Sequence, residues 1–345
     1  MDLPIRPPFP PMEAKAVDEM PPGHGWLFEP KWDGFRCLAF RRGRDVILQS
    51  KSAQPLGRYF PEVVEAIRRL PGSRLVLDGE LVVPSGGRLS FDDLLQRIHP
   101  AESRIRRLAA ETPATYLVFD LLLEPRGKPL LSLPLTERRE RLEALSETFP
   151  QGGTVRLSPA TEDRRVAGGW MRDLSASGLD GVIAKRLNEP YRSGDRSAMR
   201  KVKLLRTADC VVGGFRYAQK GGEIGSLLLG LYDEEGLLHH VGFSSSFKAD
   251  ERRALKPILE SRVGGPGFTG NAPGGPSRWA TERSTEWKPV KSGLVCEVRY
   301  DHFSGGRFRH GTKFLRWRPD KKPRACTMDQ VVPRRARGLE KLLPA

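Results

Sequence analysis

The hydrophobic pattern of this chain changes period near Thr207, and that change limits the possible folds more than any composition figure does. Upstream, the runs LVLDGELVV (75–83) and TYLVFDLLL (115–123), rich in Val, Leu and aromatics, predict strands. Around them PEVVEAIRRL (61–70) and LTERRERLEALSETF (135–149) place apolar residues at helical spacing, with arginines on a solvated face. SPATEDRRVAGGWMRDLSASG (158–178) predicts another helix, ending at Gly178. Downstream, 209–247 is a run of short strands broken by Lys220-Gly221-Gly222 and Asp233-Glu234-Glu235-Gly236, a β-meander of the kind found in small barrels. A helix near 249–262, a Gly/Pro-rich loop at 264–278 and strands in 295–303 and 306–320 complete this part. The Pro-rich residues 1–25 are expected to lie on the surface ahead of the first strand, and the chain shows no internal repeat. The reading is an α/β-type domain to about residue 205, then a barrel-like domain.

A length of 345 residues agrees with roughly two domains. No apolar run reaches membrane-spanning length, so no membrane partner is expected. The start MDLPIRPPFPPME lacks a signal-type segment, so export is not expected either. Cys37, Cys210, Cys296 and Cys326 form no C-x-x-C pair, which argues against a zinc ribbon or disulfide framework and suits a reducing cytoplasm. Lys and Arg number 58 against 42 acidic residues, a net charge of +16 that favours a polyanionic partner, most often nucleic acid.

Several chemistries are missing. There is no G-x-x-x-x-G-K-[ST] loop, and Gly221, Gly222 and Gly225 suit a hairpin turn better than a phosphate cradle. The six histidines show no metal-binding spacing; His239 and His240 point to opposite faces of a strand. GFSSS lacks the closing glycine of a serine-hydrolase elbow. What remains is lysine chemistry, and FEPKWDGFR (28–36) sets Lys31 between two aromatics and two carboxylates. An ordinary lysine is neutral in only about one molecule in 2,500 at pH 7, so a nucleophilic one needs nearby cations or burial. Arg36, Lys185, Lys201 and Lys203 could supply the cations, and Asp78, Glu80 and Asp180 could hold a Mg²⁺. Each of Asp33, Asp78 and Asp180 precedes a glycine, and three such turns at strand ends would gather acids at one rim of a sheet.

Lys31-Trp32-Asp33-Gly34-Phe35-Arg36 resembles the K-x-D-G-x-R signature of the covalent nucleotidyltransferases, in which lysine forms a phosphoramidate with a nucleotide. Asp78-Gly79-Glu80, the strand carrying Phe119, Asp180-Gly181-Val182-Ile183-Ala184-Lys185, RSAMRKVK and FLRWRPDK (314–321) resemble the later motifs in the same order. Six motifs span residues 29–321 and look like those of ATP-dependent DNA ligases, in particular the short bacterial type built from an adenylation domain and an OB domain. The resemblance implies an α+β chain: a nucleotidyltransferase domain of ATP-grasp-like antiparallel sheets with helices (1–205), an OB-fold β-barrel (206–332) and a basic C-terminal tail (333–345).

It also implies roles. Lys31 attacks the α-phosphate of ATP, and Asp33 positions it or a metal-bound water. Glu29 sits beside the adenine, Phe119 stacks on it, and Arg36 touches the ribose or the nick phosphates. Glu80 holds the ribose hydroxyl and helps Asp180 bind Mg²⁺ or Mn²⁺. Lys201 and Lys203 neutralise the α-phosphate, and Arg318, Asp320 and Lys321 orient the departing pyrophosphate when the OB domain closes. Lys51 and Arg196 join them as ribose or phosphate ligands.

The chain departs from the pattern at Asp180, where Glu is usual, and at Lys51, where an arginine is common after the serine. Lys185 reads as a strand-end surface lysine, and Trp279, Trp287 and Trp317 suit barrel packing at least as well as DNA contact. The implied partner is nicked duplex DNA, met by a cytoplasmic, nucleoid-associated monomer without an N-terminal DNA-binding domain. An RNA ligase or RNA-capping guanylyltransferase shares the lysine chemistry, and a catalytically dead OB protein is the non-enzymatic alternative.

Overall fold

The computed structural model describes residues 2–173, 179–218, 222–274, 286–331 and 339–342. The chain divides into two compact units, Met1–Leu204 with Arg334–Ala345, and Leu205–Pro333. The first unit has strands β1 (Lys15–Val17), β2 (Trp26–Trp32), β3 (Phe35–Arg42), β4 (Asp45–Ser50), β5 (Arg74–Val82), β6 (Pro84–Ser85), β7 (Arg88–Leu89), β8 (Thr115–Leu123), β9 (Val155–Leu157), β10 (Leu179–Arg186) and β11 (Met199–Lys203). Its helices are α1 (Pro61–Arg69), α2 (Phe91–Gln96), α3 (Glu102–Glu111), α4 (Leu135–Ser146) and α5 (Arg164–Asp173).

Two larger sheets form most of this unit, one in the order β1-β11-β10-β2 and one in the order β4-β3-β5-β8-β9, beside the two-stranded β6-β7 pair. Both are antiparallel except at β1–β11 and β8–β9. Leu38, Phe40, Val76 and Leu122 of the larger sheet share one apolar cluster with Met199 of the smaller and the adjoining Ala198. Every residue of β8 is buried, the pattern of a strand covered on both faces. Pro61 opens α1, where its missing N–H costs nothing, and Glu62 follows in the first turn.

Several expectations are corrected here. Residues 1–25 do not merely lie on the surface: Leu3, Ile5 and Met12 are in the core and β1 joins a sheet. Asp78-Gly79 is not a strand-end turn but lies inside β5, where Gly79 is needed because a Cβ would meet the Leu117 carbonyl oxygen and the Tyr116 ring, each at 2.6 Å. The arginines of α4 do not all face solvent: Arg138 is fully buried and paired with Asp120, and Arg139 is buried. The α5 helix starts at Arg164 rather than at 158, and its expected end at Gly178 lies outside the described residues. Within the expected tail, Leu339–Leu342 is helical (α7), and Leu339 belongs to the cluster of Trp26 and Trp32.

The second unit has β12 (Arg206–Tyr217), β13 (Ile224–Tyr232), β14 (Leu238–Ser244), α6 (Ala249–Glu260), β15 (Lys288–Pro289), β16 (Val295–Tyr300), β17 (Phe303–Ser304), β18 (Arg307–Phe308) and β19 (Lys313–Trp317). Its sheet runs β14-β13-β12-β16-β19, with β15 also on β12. Trp287 and Trp317 pack against its apolar cluster, while Trp279 and the turn at Lys220-Gly221 lie outside the described residues.

Candidate active site

Strand alternation builds one wall of a pocket. In the smaller sheet Lys31 faces Gly181, Glu29 faces Ile183, and Lys201 also faces Ile183 from the other side. Side chains two apart share a face, so Glu29, Lys31, Ile183, Lys185, Met199 and Lys201 fall on one side, and all six line the same pocket. Arg36, Glu80 and Phe119 of the larger sheet, Lys51, Pro11–Ala14, Pro30 and Trp32 complete the lining.

Lys31 is the penultimate residue of β2, next to an irregularity in β10. The register shifts between Leu179 and Gly181, and the extra residue, Asp180, sets its buried carboxylate against Lys31 Nζ. Gly181 has φ +141°, and a Cβ there would strike the Val202 carbonyl oxygen, so the Asp-Gly order is required by the close approach of β11. Lys203 lies opposite Gly181, and Asp33 occupies the turn between β2 and β3.

The cations around the pocket are held differently. Arg36 donates to both Asp78 oxygens at 2.6 Å, and Tyr191 donates to the same carboxylate at 2.6 Å. Burial opposes the Arg36 charge, but Asp78 outweighs it and raises the guanidinium above its ordinary value. Asp78 is therefore an anchor for Arg36, not a metal-facing acid. Lys185 is 2% exposed rather than a surface lysine, with Nζ 2.8 Å from Glu29 Oε2. Lys185 Nζ and the Arg36 guanidinium lie 4.3 and 4.4 Å from the Phe119 ring centroid. Lys201 is held below its ordinary value by burial and by repulsion from Lys31, Lys51 and Lys203.

Two acids stand out. Glu29 is buried, and its Oε1 accepts no hydrogen bond; Arg139 Nη1 is 3.9 Å from that oxygen. That orphaned acceptor in a pocket wall fits an N–H donor such as the amino group of adenine. Burial pushes the Glu80 carboxyl up to about 7, against Arg36 and Lys31 and with the repulsion of Asp78 and Asp33. Among the described residues, no three His, Cys, Asp or Glu side chains are placed to hold a metal ion. A Mg²⁺ held through one or two carboxylates and substrate phosphates needs no such group, and Glu80 lines the pocket while Asp180 lies against Lys31 beside it.

Lys51 and Arg196 both bind Glu13 Oε2, at 3.0 and 2.8 Å; Lys51 lines the pocket and Arg196 is exposed. Arg318, Asp320 and Lys321 belong to the second unit and cluster there. Arg318 Nη1 and Lys321 Nζ reach Asp209 at 2.9 and 2.7 Å, and Arg318 Nη2 reaches Asp320 at 2.8 Å. Sequence reasoning missed Glu13, Tyr191, Arg139 and Asp209. Lys185 was recoverable, because strand alternation from Gly181 puts it on the Lys31 face.

A lysine held against a buried carboxylate, in a pocket lined by further cations, fits a covalent nucleotidyltransferase. Residues 11–203 match the ATP-dependent DNA ligase domain, and residues 220–321 match the ATP-dependent DNA ligase C-terminal region. The chain belongs to the ATP-dependent DNA ligase family, whose members seal nicks through a lysine–AMP intermediate. It is 46% identical over 341 residues to DNA ligase C1 of Mycolicibacterium smegmatis, covering 96% of each chain. It is 42% identical over 346 residues to DNA ligase C of Mycobacterium tuberculosis, again covering 96% of each. In fold it resembles a solved Lig E DNA ligase, with a TM-score of 0.55, 17% identity, and coverage of 90% of this chain and 99% of that one.

Proposed function

We propose that Lys31 is the residue that carries the nucleotide and that nicked duplex DNA is the substrate. The observation that carries this reading is the convergence of Glu29, Lys31, Arg36, Glu80, Phe119 and Lys201 on one pocket. In the first step the Lys31 Nζ lone pair forms a bond to the α-phosphorus of ATP while the bond to the β-phosphate oxygen breaks. Pyrophosphate leaves, and the amine loses its protons to solvent or a neighbouring base. The contact with Asp180 must open before attack, since that carboxylate engages the same nitrogen. AMP then passes to the 5′-phosphate at the nick, and the 3′-hydroxyl displaces AMP to close the strand.

Positioning and charge dominate such transfers. Glu29 accepts the adenine amino group on its open oxygen, and Phe119 supplies the ring on which the base stacks. Arg36, already oriented by Asp78, meets the ribose or nick phosphate. Lys201 and Lys203 take the charge of the α-phosphate, Lys51 and Arg196 that of neighbouring phosphates, and Asp33 positions the nucleophile. Glu80 and Asp180 would hold Mg²⁺ or Mn²⁺, which when bound neutralises charge on the phosphates. Arg318, Asp320 and Lys321 act on the departing pyrophosphate. Residues 1–205 then serve as the adenylation domain and 206–332 as the OB domain of a monomer working on cytoplasmic, nucleoid DNA.

Two measurements test the roles. A metal ion on Glu80 must displace a proton at pH below about 7, so metal affinity should fall as the pH drops from 8 to 6. Metal titrations of lysine–AMP formation should show roughly a tenfold rise in the half-saturating concentration per unit below that point; a pH-independent value removes Glu80 as a ligand. Arg318→Ala should slow self-adenylation by about a hundredfold while slowing the sealing of pre-adenylated nicked DNA far less. Equal losses in both steps contradict the pyrophosphate role. Sealing assays on nicked DNA and nicked RNA duplexes settle the polymer, with DNA the expected substrate.

A further inference from the structure

Within the pocket wall, Glu13 is bound to two exposed cations that the proposed reaction has reason to use. Glu13 Oε2 is shared by Lys51 Nζ at 3.0 Å and Arg196 Nη2 at 2.8 Å. Its backbone is fixed: Glu13 N donates to Asp195 O at 2.8 Å, Ser193 Oγ donates to Pro10 O at 2.6 Å, and β1 runs beside β11 with Ala16 opposite Lys201. The strap carrying Glu13 is thus stitched to the segment carrying Arg196 and Lys201. The hydrogen bond from Lys51 holds the Glu13 carboxyl below the usual carboxylate range, so it is an anion at neutral pH.

The Arg36–Asp78 and Lys185–Glu29 pairs are of a different kind. Arg36 lies on a fully buried Asp78, and the Lys185 and Glu29 side chains are buried, so breaking either would strand a buried charge. Lys51 and Arg196 are 56% and 66% exposed, and ion pairs of that kind are weak and easily exchanged. A carboxylate oxygen between two displaceable cations has the charge and hydrogen-bonding pattern of a phosphate oxygen.

We propose that Glu13 is an internal stand-in for a substrate phosphate: its carboxylate occupies the Lys51–Arg196 pair in the empty enzyme and is displaced when a phosphate arrives. This rests on the reading of the pocket as the nucleotide and nick site. The phosphate has two possible sources, the triphosphate of ATP and the 5′-phosphate of the nick. In either case Glu13 competes with substrate, and removing its charge should tighten binding.

The test is Glu13→Gln, measured in two arms: the KM for ATP in self-adenylation, and the Kd for nicked duplexes ending in 5′-phosphate or 5′-hydroxyl. The expected result is a gain of about fivefold in at least one arm. A lower KM for ATP assigns the triphosphate; tighter binding confined to the 5′-phosphate duplex assigns the nick. Glu13→Ala should give the same gain, whereas Glu19→Gln, which neutralises an exposed acid on the same segment, should give none. Unchanged or weaker binding in both arms, or an equal gain from Glu19→Gln, overturns the proposal. Covalent labelling of the wild-type enzyme in the same preparation keeps the readings apart. Its absence sinks the nucleotide site itself, while labelling with unaltered binding in Glu13→Gln sinks only the stand-in.

Discussion

Lys31→Ala should lose self-adenylation by a factor of roughly a thousand or more, because the proposed mechanism makes its bond to the nucleotide through this side-chain nitrogen. Lys31→Arg is the sharper variant. A guanidinium keeps the positive charge facing Asp180 and so preserves the fold around the β10 irregularity, yet it does not deprotonate and cannot attack phosphorus. Both variants should fail to form the labelled intermediate from α-labelled ATP. Both should still seal a nick supplied already adenylated more effectively than one that is not, since the last step does not use the lysine–phosphorus bond. A variant that labels normally would show that a different residue carries AMP.

The largest effect on stability is expected away from the pocket. Arg138→Leu should cost about 3–5 kcal/mol, measured by urea unfolding at pH 7. Arg138 and Asp120 have side-chain exposures of 0% and 2%, and Arg138 meets both Asp120 oxygens at 2.8 and 3.0 Å. The same guanidinium donates to the carbonyls of Leu133 and Glu189, tying α4 to two loops. Leucine fills the space but leaves Asp120 as an uncompensated buried charge. The pH dependence follows from Asp120: burial works against its charge, but Arg138 prevails and lowers the carboxyl below its ordinary value. A lowered acid contributes stability above its unfolded value, near 4, and loses it as pH falls through the lower folded value. Wild type should therefore lose this contribution on acidification below about 4. In Arg138→Leu the sign reverses, and stability should instead improve as the pH approaches that range from above. A loss below 1 kcal/mol would show that the pair contributes little to the fold.

The lysine chemistry was legible because it is local. Lys31 and Arg36 sit on two strands joined by one turn, which carries Asp33, and both line the pocket. Glu80 and Phe119 were reachable as strand residues, Phe119 through its motif, since an apolar strand position by itself reads as core. What failed depended on contacts between distant segments. The arginine stripe of α4 has the spacing of a solvated face, and only the buried Asp120, 18 residues away, draws Arg138 inward. Lys185 looks like a strand-end lysine until Glu29, on the neighbouring strand, pairs with it. Glu13 lies in a Pro-rich stretch with no periodicity, and its role rests on pairing with residues 38 and 183 positions further on. Asp78 was visible as an acid but not as the anchor of Arg36 and Tyr191, because the sequence does not show where those three converge.

The most direct test of the whole account is to locate the nucleotide. Wild-type protein is incubated with ATP and Mg²⁺, digested under mildly alkaline conditions, and its peptides are sequenced by mass spectrometry. One adenylate should be found, acid-labile, reversed by added pyrophosphate, and attached to the Lys31 side chain. Adenylate on another lysine, or no covalent adenylate under conditions where nicks are sealed, would contradict it.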